Sequence, residues 1–204
     1  MNSFAIRRAA ALVILLVTCS ICGCFDSKQP LSDPEQARIH TELLGVWIWK
    51  GSEVKDDEWT IAAAGEGFPK GMLRITAFQD DKTETLFAFS TKLGDDYYLN
   101  IVSFKDEVVP KQWDRKQVDH FTLMPYSIAR NTFTATLLDD AFLTKAIRDG
   151  ALSGKLSSGK DKESYLTATT QELRTFFTEE RARILDDHTE AGIRKIAAKK
   201  AADE

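Results

Sequence analysis

The side chains most able to do covalent or metal chemistry in this sequence are three cysteines and three histidines. No histidine has a second histidine or a carboxylate at the helical spacing that a metal site needs. His120 follows Asp119 in a predicted strand, where neighbouring side chains face opposite ways, so these two are not expected to pair. No nucleophile elbow, phosphate loop or dinucleotide fingerprint is present. The sequence therefore predicts no catalytic residue, metal or cofactor, and it disfavours an enzyme without excluding one. The six side chains are Cys19, Cys22, Cys24, His40, His120 and His188.

The cysteines end a segment that has the pattern of a signal peptide. Arg7 and Arg8 give it a basic start, an uncharged stretch covers residues 9–23, and Cys24 follows. The apolar run falls short of the roughly 20 residues that a membrane-spanning helix needs. Residues 1–23 are therefore predicted to be a cleaved signal peptide. An uncleaved helical anchor and ordinary secretion with a disulfide remain as alternatives.

The residues before Cys24 resemble the lipobox of bacterial lipoproteins. Ile21 stands three positions before Cys24 and Gly23 directly before it, although Cys22 replaces the usual Ala or Ser. The resemblance implies that Cys24 is acylated, becomes the mature N-terminus and holds the protein to a membrane. Phe25 takes the position at which an Asp would imply retention in the inner membrane, so the resemblance implies the outer membrane, facing the periplasm. All cysteines other than Cys24 would be removed with the signal, which leaves no disulfide framework.

Charge and composition limit the partners of the mature chain. The formal charge of the whole sequence is −4, and loss of the two arginines in residues 1–23 makes it −6. Nucleic acid is therefore not an expected partner. Residues 24–38 contain Pro30 and Pro34 and show no apolar periodicity, which predicts a flexible tether between the membrane and the folded part.

The rest of the chain consists mostly of short alternating runs that predict strands. Asp139 is predicted to cap a short helix at 140–148, which Gly150 ends. Thr169 and Glu172 form a capping box for a second helix, whose apolar stripe continues to Leu185. The charged residues beyond it are predicted to be a tail with marginal helicity at most. The predicted strands cover residues 42–50, 58–62, 72–78, 85–91, 97–104, 118–128, 132–138 and 164–168.

This pattern predicts a mainly β fold: an antiparallel meander of about eight strands that forms a barrel or a strongly curved sheet, with one short helix and a C-terminal helix. Gly45 and Trp47 resemble the Gly-x-Trp signature in the first strand of lipocalin-like proteins. The signal region, the early Gly-x-Trp strand and the segments 137–143 and 166–173 together resemble a group of small uncharacterised bacterial lipoproteins. We expect a lipocalin-like β domain at residues 39–169, followed by a C-terminal helix with a charged tail at 170–204.

Two functions are consistent with this sequence. In the first, the protein is a non-catalytic interaction or structural lipoprotein whose barrel is packed solid and whose charged tail meets an envelope protein. In the second, aromatic and aliphatic side chains line an interior that holds a small apolar ligand. A filled interior would favour the first and an open one the second. The possible ligand-lining residues are Trp47, Trp49, Phe87, Phe89, Tyr97 and Leu99.

Overall fold

The computed structural model describes residues 25–49, 58–79, 82–105, 109–157 and 164–196. It gives backbone alone for 49, 78, 79, 82 and 186–196. The predicted signal peptide at 1–23, the predicted acylation site Cys24 and the end of the predicted tail lie outside the described residues. No helix in the described part is long and apolar enough to cross a membrane.

The fold is mainly β, as the sequence predicts. Helix α1 (Asp140–Arg148) and helix α2 (Thr170–Glu179) accompany an 11-stranded sheet in which most neighbours are antiparallel. The alternation of apolar and polar residues predicted the ends of most strands to within a few residues. The strands are β1 (Asp26–Ser27), β2 (Gly45–Trp49), β3 (Glu58–Ala63), β4 (Met72–Gln79), β5 (Lys82–Leu93), β6 (Asp96–Phe104), β7 (Val118–Ala129), β8 (Thr132–Leu138), β9 (Gly154–Lys155), β10 (Tyr165–Leu166) and β11 (Leu185–Ile196).

Eight strands are joined in a circuit of antiparallel pairs. Strands β2 to β8 each pair with the next along the chain, and β11 pairs with both β8 and β2. The other three strands are short and extend the sheet from β7, because β1 pairs antiparallel with β7 and parallel with β10, and β10 pairs with β9.

Alternating side chains divide the core between the two faces of the sheet. One set, the tryptophan cluster, contains Trp47 and Trp59 and comes from the strands and Leu43. The other set, the helix-side cluster, combines the opposite face of β4 to β7 with α1, α2 and the residues before β2. Because successive strand residues face opposite ways, Phe87 and Phe89 belong to the helix-side cluster while Ala88 between them belongs to the tryptophan cluster.

The N-terminal segment, residues 25–38, is packed against the domain, where the sequence predicts a flexible tether. Phe25 and Leu31 are buried in the helix-side cluster. The amide of Leu31 donates to Asn100 Oδ1 at 2.7 Å, and Arg174 donates to the carbonyl of Leu31 at 3.0 Å. These contacts come from residues 69 and 143 positions away, so the local sequence, with two prolines and no apolar period, could not reveal them.

The C-terminal part also differs from its prediction. The capping box is present, with Thr169 N donating to Glu172 Oε2 at 2.7 Å, and Asp139 caps α1 as expected. However, α2 ends at Glu179, and the residues predicted as a charged tail form β11 as far as Ile196. A strand between β8 and β2 forms backbone hydrogen bonds on both sides. These bonds can stabilise a strand even where the local sequence has few apolar residues and no alternation.

Candidate functional site

The six residues predicted to line a ligand site do not share one face of the sheet. Trp47 and Leu99 belong to the tryptophan cluster, and Tyr97 packs against it. Phe87 and Phe89 lie in the helix-side cluster. The side chain of Trp49 lies outside the described residues. The structure thus brings together three of the six and separates two from them by the thickness of the sheet.

The tryptophan cluster is densely filled among the described side chains. Trp47, Leu99 and Phe133 are each 0% exposed. A side chain that borders a water-sized space would keep some accessible surface, so no such space adjoins these three. The Trp47 Nε1 group donates to the carbonyl of Leu43 at 2.8 Å, which satisfies the only polar atom of this buried ring. This part of the interior is a packed core.

A polar network lies at one edge of the tryptophan cluster. The hydroxyl oxygen of Tyr126 is 2.8 Å from His40 Nδ1 and 2.6 Å from Ser90 Oγ. The His40 ring stacks on Tyr97 with centroids 4.3 Å apart, and its Nε2 lies 3.6 Å from a carboxylate oxygen of Glu42. Strands β5, β6 and β7 hold the serine and the tyrosines, and the segment before β2 supplies the histidine and the glutamate.

The protonation state of Tyr126 determines which hydrogen bonds this network can form. Burial raises the pKa of its phenol, while the Ser90 hydrogen bond acts in the opposite direction. Tyr126 is therefore neutral near pH 7 and has one proton to donate. It can donate to His40 or to Ser90, but not to both at once. His40 contacts the phenol and not the serine, and a serine nucleophile needs a base in direct contact. The arrangement orients polar groups and does not activate Ser90.

A second network surrounds His120 at the other end of β7. His120 Nδ1 is 3.0 Å from Asp119 Oδ2, and its Nε2 is 3.3 Å from Asp26 Oδ2. Thr122 donates to the other oxygen of Asp26 at 2.8 Å, and Lys28 contacts Asp119 at 3.2 Å. Hydrogen bonding from His120 is the largest cause that lowers the pKa of Asp119, with further help from Lys28.

The contact between Asp119 and His120 contradicts the sequence prediction that adjacent strand residues would keep them apart. The register shifts at this point: His120 pairs with Ser103 and Val118 with Phe104, so Asp119 has no partner on β6. A bulge of this kind re-aims a side chain, and here it brings the two neighbours into contact.

The His120 network joins the start of the described chain to the sheet. Its two carboxylates contact opposite nitrogens of one ring, so they do not converge on a common point where a metal could bind. Within the described residues, no group of three histidine, cysteine or acidic side chains could hold a metal ion. What the network does is tie Asp26 and Lys28, which follow Cys24 closely, to β7.

Sequence reasoning missed both networks. The pairs Tyr126–His40 and Tyr126–Ser90 are 86 and 36 residues apart in the chain, and Thr122 and Asp26 are 96 apart. The strand pairing and the course of the segment before β2 bring them together, and no local motif indicates either. Comparison of the chain with protein-family models, curated proteins and solved structures gives no significant match.

Proposed function

We propose that this chain is a lipid-anchored protein of the bacterial cell envelope. It acts as a non-catalytic interaction or structural lipoprotein, attached through acylated Cys24, with the outer membrane, facing the periplasm, as its location. The observation that carries the non-catalytic part is the filled tryptophan cluster, in which Trp47, Leu99 and Phe133 are completely buried. A solid domain acts through its outer surface, which suits a protein partner in the envelope.

We also propose that the circuit of eight strands encloses a small barrel. The pairing of β6 with β7 as well as β5 supports closure, since it leaves neither β6 nor β7 as a free edge along that stretch. Barrels of eight strands have an interior that side chains alone can fill. The tryptophan cluster would be that filling.

A binder of a small apolar ligand is the second candidate. It is favoured by the stack of His40 on Tyr97, two partly exposed rings at the edge of the tryptophan cluster. Native mass spectrometry of the protein purified from its own membrane distinguishes the two candidates. We expect the mass of the acylated chain alone. A co-purifying apolar molecule that is lost on substitution of Tyr97 would favour the binder.

Metabolic labelling with palmitate tests the anchor. Label should enter the protein when the wild-type sequence is expressed in a bacterium, and it should be lost in Cys24→Ser. The matched control is Cys22→Ser, which lies two residues away and should keep the label. Label that persists in Cys24→Ser, or that is lost only in Cys22→Ser, would overturn the proposed anchor.

A further inference from the structure

No linker separates the predicted acylation site from the first residues that pack into the described domain. Phe25, which directly follows Cys24, is 3% exposed, and Asp26 and Ser27 form β1 between β7 and β10. Consecutive Cα atoms are 3.8 Å apart. An acyl group on Cys24 would therefore be attached within one residue of the packed domain, and the domain could not move far from the bilayer.

The surface around β1 carries a row of side chains contributed by neighbouring strands. Tyr165 is the register partner of Asp26 on one side and of Lys155 on the other. The ammonium groups of Lys28 and Lys155 lie 5.1 and 5.9 Å from the Tyr165 ring centroid. Tyrosine is a side chain that favours the membrane interface, because its ring is apolar and its hydroxyl polar.

Arg115 extends this surface and begins the 3-10 turn Arg115–Gln117 that precedes β7. Its guanidinium donates to the carbonyl of Lys28 at 2.8 Å and lies 4.9 Å from the Phe121 ring centroid. Lys116 is the next residue, and both are exposed. We call Lys28, Arg115, Lys116, Lys155 and Tyr165 the anchor-side patch.

The charges of the anchor-side patch are only partly neutralised by protein groups. Lys28 pairs with Asp119. Asp114 accepts from the backbone amide of Lys116 and caps the turn. Within the described part of the chain, the side chains of Arg115, Lys116 and Lys155 form no ion pair with a carboxylate. Three cations are thus available to an external anion, although the mature protein as a whole is acidic.

We propose that the anchor-side patch lies against the membrane and contacts anionic lipid headgroups, which fixes the orientation of the domain on the bilayer. This inference rests on the proposed acylation of Cys24. The anchor supplies attachment, and the patch determines which side of the domain faces the lipid. Each cation near an anionic surface raises the binding constant for that surface by about fivefold.

Fluorescence quenching on vesicles tests this orientation with the full, acylated protein. An acylated Cys24 leaves no free thiol in the mature chain, so single labels can be placed at Gln117→Cys and Asn131→Cys. Both positions are exposed, and they flank the two ends of β7, about 35 Å apart. The vesicles contain equal parts phosphatidylcholine and phosphatidylglycerol, with a quencher attached to a fraction of the headgroups.

We expect the label at position 117 to be quenched several-fold more than the label at 131. The charge reversals Arg115→Glu, Lys116→Glu and Lys155→Glu together should remove most of this difference, as should vesicles of phosphatidylcholine alone. Circular dichroism of the triple variant checks that the domain remains folded. Equal quenching at both positions, or stronger quenching at 131, would overturn the proposed orientation even if Cys24 is acylated. A protein without acyl groups fails the palmitate experiment, and that separate result would overturn the anchor and this inference together.

Discussion

At the scale of single residues, Tyr126 is the side chain on which most of one polar network depends. Its hydroxyl is the shared partner of His40 and Ser90, and it is buried beside Phe133. A buried polar group that loses its partner costs more free energy than the hydrogen bond itself contributed. We therefore expect Tyr126→Phe to lower the free energy of unfolding by about 1–3 kcal/mol, measured by urea denaturation.

The matched control for this substitution is Tyr97→Phe. Tyr97 contacts the same histidine through its ring, which phenylalanine retains. Its free energy of unfolding should stay within about 0.5 kcal/mol of wild type. Equal losses in the two variants would show that the hydroxyl of Tyr126 has no special role in the network.

At Gly71 there is no room for a side chain, because the N-terminal segment passes directly over this residue. A Cβ at this position would lie 2.1 Å from the carbonyl oxygen of Ala37 and 2.3 Å from its carbon. These atoms belong to the backbone, so the segment itself must move. We expect Gly71→Ala to cost about 1–3 kcal/mol and to expose residues 25–38 to proteolysis.

Gly94→Ala separates this steric effect from a purely conformational one. Gly94 has φ +59° with open space around its Cβ position. Its substitution should cost about 1–2 kcal/mol through backbone strain and leave the N-terminal segment protected from protease. Rapid cleavage within residues 25–38 in both variants, or in neither, would contradict the close approach at Gly71.

At the scale of elements, the sequence predicted strands and helices well where the local pattern is strong, such as regular alternation or a capping box. The alternation of Phe133, Ala135 and Leu137 with threonines located β8, and the Thr169–Glu172 capping box located the start of α2. Residues 186–196 have few apolar side chains, so their local pattern favours no strand. Their structure depends on pairing with β2 and β8, which lie far away in the sequence.

Truncation measures how much β11 contributes to the sheet. A chain that ends at Leu185 loses all but one residue of the strand and leaves the facing edges of β2 and β8 without partners. We expect it to unfold or aggregate, because exposed strand edges pair with other chains. The control chain ends at Ile196 and keeps the whole strand. Nearly equal melting temperatures for the two chains would contradict the placement of β11.

At the scale of the whole molecule, the described residues pack into two apolar clusters, one on each face of the sheet. The N-terminal segment is held to the sheet by the buried side chains of Phe25 and Leu31 and by the hydrogen bond from the Leu31 amide to Asn100. The sequence predicted the mainly β architecture, because alternation is a local signal. The separation of Phe87 and Phe89 from Leu99 depends on the register between β5 and β6, which is not a local property. In the proposed function, this packed domain is attached to the membrane through Cys24, the predicted first residue of the mature chain.

The intact mass of the protein extracted from bacterial membranes tests the proposed anchor most directly. We expect a chain that begins at Cys24, lacks residues 1–23 and carries the added mass of about two or three acyl chains with their glycerol, since a single chain binds a membrane only weakly. A mass equal to the unmodified sequence, or a mature chain with a free thiol at Cys24, would contradict a lipid-anchored protein.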